Sequence, residues 1–122
     1  MNREFALKVM LTAVGLLFVA LAYPMVMMMR QDPALSMMLS LYVTLGVFLL
    51  LAVRNPPANR SLIAFTAWSS FAHAAVMGIQ AWRNMIARGE LIGVIVLVII
   101  GGGLLALAPA KSAWRTAIYQ PD

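Results

Sequence analysis

The chain has 122 residues, 63% hydrophobic and only 11% charged, with a net charge of +5 and a mean hydropathy of +0.90. That balance excludes an ordinary soluble domain, where about a quarter of residues are charged. The absence of cysteine excludes disulfides, thiolate metal sites and thiol redox chemistry.

Charges fall in short clusters, and four apolar runs lie between them: 9–29, 34–53, 61–82 and 91–108. At 1.5 Å per residue, runs of about 18 to 22 residues cross a hydrocarbon core of about 30 Å. Lipid offers the backbone no hydrogen bonds and the runs lack the period-2 alternation of barrel strands, so helices are predicted. The expected fold is all-α: an integral membrane four-helix bundle with short loops, forming a single transmembrane domain over residues 1–122.

The first run carries Arg3 and Lys8 ahead of it and contains Ala20-Leu21-Ala22, which has the form of a signal peptidase site. The run continues to Met29, so a retained first helix is expected. Pro24 removes the hydrogen bond to the Ala20 carbonyl and is expected to kink this helix near its outer end. Asp32-Pro33 supplies an N-cap with proline at the first helical position, which predicts a tight hairpin into the second helix. Around that hairpin, residues 24–38 hold six of the ten methionines. Thioethers bind Cu(I), but methionine is also an ordinary apolar span residue, and no metal or other cofactor is expected.

The second run places Tyr42 and Gly46 on one face and Ser36, Ser40 and Thr44 on another, so both faces are expected to be buried by protein. It ends at "R-N-P-P-A-N-R-S", residues 54–61, which cannot be helical across Pro56-Pro57. Asn59 or Ser61 can cap the third helix. That helix is expected to continue through Arg83, Asn84, Met85 and Ile86 and to stop at Gly89.

At 100° per residue, Thr66, Ser69, Ser70, His73, Met77 and Gln80 fall within an arc of about 100° on the third helix. Ala67, Ala74, Gly78 and Ala81 flank this polar stripe, while Trp68, Phe71, Phe65 and Ile79 occupy much of the remaining surface. Small residues admit a neighbouring backbone, and the polar groups are expected to bond across the gap. The stripe therefore reads first as packing between helices, with Tyr42 the expected partner of His73, since each lies near the middle of its span. The alternative reading is a polar cavity for a ligand, with His73 as its titratable group. A single histidine cannot supply two imidazoles to a haem or three to a zinc.

The fourth run contains Gly101-Gly102-Gly103, which is no phosphate loop because no Lys-Ser/Thr follows it. These glycines, with Gly78, are expected to serve close helix packing. Pro109 closes the helix. Arg3, Lys8, Arg54, Arg60, Lys111 and Arg115 lie on the side of the two tails, against Arg30, Arg83 and Arg88 on the other. The positive-inside rule then places both termini in the cytoplasm, with Trp82 and Trp114 at opposite interfaces. The positive charge reads as affinity for anionic lipid headgroups, with no nucleic acid implied.

The stretch "R-N-P-P-A-N-R-S-L-I-A-F-T-A-W-S-S-F-A-H-A-A-V-M", residues 54–77, together with the four short spans, resembles a family of small bacterial membrane proteins known only as a domain of unknown function. The resemblance implies a bacterial inner-membrane protein and brings no activity or catalytic residue. Length and span count also match small multidrug transporters, but those depend on a glutamate embedded in the first helix, whereas Glu4 lies at its edge. The spans offer no Asp, Glu, Lys or Cys for catalysis. The expected function is therefore non-enzymatic, exercised through helix packing or partner assembly, with the bilayer and a second copy or another membrane protein as partners. The alternative is a small carrier or binding protein for an apolar molecule, a quinone or Cu(I), using the stripe as a midplane site.

Overall fold

The computed structural model describes residues 2–109. Five helices build four spans: α1 (Arg3–Ala20), α2 (Ala22–Met27), α3 (Pro33–Ala52), α4 (Arg60–Trp82) and α5 (Leu91–Leu107), with short 3-10 turns at Pro56–Asn59 and Arg88–Glu90. There is no strand among the described residues, and all four spans are long and apolar enough to cross a bilayer. Lys111, Trp114 and Arg115, which enter the topology expectation, lie outside the described residues.

Helix boundaries follow local chemistry. α1 begins before the apolar run because the Asn2 side chain accepts the Phe5 N–H at 2.7 Å and Glu4 pairs with Lys8 one turn on, at 3.8 Å. Pro24 cannot donate to the Ala20 carbonyl, and the first span breaks at Leu21 into α1 and α2. Asp32 caps α3 by accepting the Leu35 N–H at 3.1 Å. Asn59 precedes α4 but makes no side-chain cap; its amide donates to the Asn55 carbonyl and braces the proline turn instead.

α4 stops at Trp82, short of the expected Gly89. Asn84 takes a left-handed conformation (φ 58°), the Met85 N–H reaches the Gln80 carbonyl at 2.8 Å and the Asn84 N–H reaches that of Ala81. This pair of bonds is a Schellman close, for which asparagine is the usual substitute for glycine. α5 ends at Leu107 because Ala108, preceding Pro109, is held extended.

The helices form two antiparallel pairs, α1/α2 with α3 and α4 with α5, joined mainly between α1 and α5. Leu7, Leu11, Val14 and Phe18 recur at helical spacing on α1 and meet Leu49, Ile63, Ala67, Ile100 and Leu104 in the core. α1 and α3 cross where a Cβ on Gly46 would stand 2.8 Å from the Gly15 carbonyl oxygen and 2.9 Å from the Val19 nitrogen. At the loop end, Arg3 donates to the Ala108 carbonyl (2.8 Å) and Arg60 to that of Pro109 (3.0 Å). Two cations thus close the negative end of α5.

The glycine expectation divides. Gly101 fits against the Ala67 carbonyl and the Phe71 ring, and Gly103 against Met10. Gly78 and Gly102 correct it: a Cβ on either meets nothing within 4 Å among the described residues, so neither serves close packing there. Sequence adjacency explains Gly102, since three successive residues on a helix spread over about 200° and cannot share one contact.

A cleft between α3 and α4

α3 and α4 follow each other in the chain yet barely touch. Between them runs a cleft of about 410 Å³, lined by Leu41, Tyr42, Thr44, Leu45 and Phe48 of α3 and by Leu62, Phe65 and Ser69 of α4. Leu41 is 71% exposed and Phe65 62%, so the cleft opens sideways, toward the hydrocarbon of a surrounding bilayer. The lining residues run from the middle of α3 toward its end at Ala52, and from near the start of α4 toward its middle. The cleft therefore occupies the half of the bundle nearest the 53–59 connection.

Near the middle of both helices, level with Leu41 and one turn past Ser69, a hydrogen bond between Tyr42 Oη and His73 Nδ1 ties α3 to α4. The phenol has no other partner among the described residues, so its proton is best used on Nδ1, which leaves the ring proton on Nε2. Phe18 of α1 packs edge-on against Tyr42, with ring centroids 5.1 Å apart and planes at 88°. Three rings from three helices thus meet at Tyr42, which also lines the cleft.

The rest of the polar stripe behaves differently from expectation. Thr66 donates to Leu62 O (2.8 Å), and both Ser69 (3.2 Å) and Ser70 (2.7 Å) donate to Thr66 O. These hydroxyls bond back to their own helix rather than across a gap, a common solution for serine and threonine in spans. Thr66 and Ser70 are buried, whereas Ser69, His73, Met77 and Gln80 are half-buried. The stripe is centred about 85° from the buried residues Ile63, Ala67, Ala74 and Ala81. It straddles the boundary between core and cleft, and Tyr42–His73 is its one bond across helices among the described residues.

The small ridge on α3 is likewise only partly buried. Ser36 is buried and donates to the Met25 carbonyl at 2.7 Å, satisfying the frayed end of α2. Ser40 and Thr44 are exposed and bond to carbonyls of their own helix, which corrects the expectation that both faces of this helix are covered. The close approach of Gly15 and Gly46 was not anticipated as a pair. Its only signal was a lone glycine in each of two neighbouring apolar runs.

A family model, described as a family of unknown function (DUF6632), matches residues 4–118. The chain belongs to that family. No curated protein and no solved structure gives a match. The match covers all four spans, so the cleft and the Tyr42–His73 bridge lie within the region that defines this DUF6632 member.

Proposed function

We propose that this DUF6632 protein is a non-enzymatic, multi-pass protein of a bacterial inner membrane, with both termini cytoplasmic, that holds an apolar guest from the bilayer in the α3–α4 cleft. The observation that carries this reading is the parting of two consecutive helices around an apolar space of about 410 Å³, a volume usual for a small-molecule site. A bundle selected only for packing would close that seam, because lipid-filled gaps forfeit the van der Waals contact that holds membrane helices together. The excess of Lys and Arg beside the tails supports the orientation.

The test is photolabelling with an apolar carbene precursor in native membranes. Labelling of Phe48, Leu62 and Phe65 is expected to saturate with probe concentration, while labelling of Ile95 and Ile99 on the exposed face of α5 keeps rising. Parallel, non-saturating labelling of both groups would reject a guest site.

A second reading is favoured by Gly102, an exposed residue with open space before it. This flat spot on α5 suits close approach of a second copy, in keeping with assembly as the alternative role. Because the chain has no cysteine, Gly102→Cys gives a single reporter. Cross-linked dimers in membranes support the assembly, and monomers alone exclude it.

A further inference from the structure

We propose that the occupant of the cleft is one acyl chain of an anionic phospholipid, taken from the leaflet on the side of the Arg54–Arg60 loop, with its headgroup at Arg54. This rests on the reading of the cleft as a guest site and adds the chemical class of the guest.

The walls select a bare hydrocarbon. Only three lining residues carry a polar side-chain atom, and all three hydroxyls are committed: Tyr42 to His73, Thr44 to the Ser40 carbonyl and Ser69 to the Thr66 carbonyl. A quinone ring would bring two carbonyls to walls whose hydroxyls are all committed; the His73 Nε2–H beside the cleft could serve one of them, leaving the other unpaired at a cost of about 1–3 kcal/mol. A methylene chain brings nothing that needs a partner.

The dimensions select a thin guest confined to one leaflet. The lining covers only residues 41–48 of α3 and 62–69 of α4, about 10 Å of each helix. The spanning helix of a second copy would need a groove along the whole span. The cleft lies in the half of the spans nearest the loop, its inner end level with the Tyr42–His73 bridge, and so falls within the depth of one leaflet, about 15 Å. A phospholipid chain has that reach and must end near the midplane.

The loop selects the headgroup. The chain between α3 and α4 is bracketed by Arg54 and Arg60 and contains no acidic residue. Arg60 is engaged with the Pro109 carbonyl, whereas Arg54 is exposed and has no side-chain partner among the described residues. A guanidinium at the membrane surface favours a phosphate, and a net anionic headgroup over a zwitterionic one.

The experiment uses the full chain in nanodiscs doped with acyl-chain spin-labelled phosphatidylglycerol or phosphatidylcholine, read by electron paramagnetic resonance. An immobilised component saturating at one lipid per chain is expected, with phosphatidylglycerol preferred about fivefold. Arg54→Gln should abolish the preference, and Leu45→Trp should remove the component for both lipids. Leu41→Trp, at an exposed position on the cleft's mouth, repeats the filling without touching the core. Loss of the component in the filled variants, with equal binding of the two lipids by the parent, would overturn the anionic assignment and leave the guest site standing. Displacement by a quinone would overturn the acyl assignment alone. A component that survives both filling substitutions would overturn the cleft as a site altogether.

Discussion

Gly15 of α1 and Gly46 of α3 meet backbone to backbone: a Cβ on Gly15 would lie 3.1 Å from the Gly46 carbonyl oxygen, and one on Gly46 would lie 2.8 Å from that of Gly15. Both obstacles are main-chain atoms, which cannot swing aside as a side chain can. Gly46→Leu is therefore expected to destabilise the protein by at least about 1–3 kcal/mol. Gly102→Leu, facing open space, should stay within about 0.5 kcal/mol of the parent. Thermal unfolding in detergent distinguishes them, and equal effects would refute the assignment of the crossing to Gly15 and Gly46.

The bond between Tyr42 and His73 is the second point of leverage, because α3 and α4 have little else between them. His73→Phe should cost about 1 kcal/mol, largely by leaving the phenol without an acceptor. Tyr42→Phe with His73→Phe should then cost less than the sum of the single changes, by about 0.5 kcal/mol or more. Additive losses would show that the two side chains do not support each other.

Asn84 ends α4 with a positive φ. Asn84→Gly should be neutral or slightly stabilising, since glycine enters this conformation without steric penalty, whereas Asn84→Val should destabilise by about 1–2 kcal/mol. Equal stability of the two variants would mean that the turn does not hold its left-handed residue.

The proposed orientation predicts opposite accessibilities for the two long connections. Ala58 lies in the proline turn before α4, and Met85, 66% exposed, lies in the turn after it. In intact cells, an impermeant maleimide should label Met85→Cys, and Ala58→Cys only after permeabilisation. The reverse pattern would invert the topology.

The number of spans and their class were legible in the sequence because lipid enforces them: an apolar run of about 20 residues has no other way to satisfy its backbone in hydrocarbon. The local punctuation at Pro24, Asp32-Pro33, Pro56-Pro57 and Pro109 was legible for the same kind of reason, since proline's missing N–H and fixed φ act within one turn. So was the Tyr42–His73 pairing, as the two residues share a depth on successive antiparallel helices. What only the tertiary structure decided is which faces meet. Helices in lipid gain little from hiding one apolar side rather than another, so hydrophobic patterning carries almost no information about neighbours. Hence the sequence did not reveal that Gly46 rather than Gly102 lies at a crossing, that Thr66, Ser69 and Ser70 bond to their own helix, or that α3 and α4 part around a cleft. Those outcomes depend on backbone approach and steric fit between segments distant in the chain, which no local pattern of residues records.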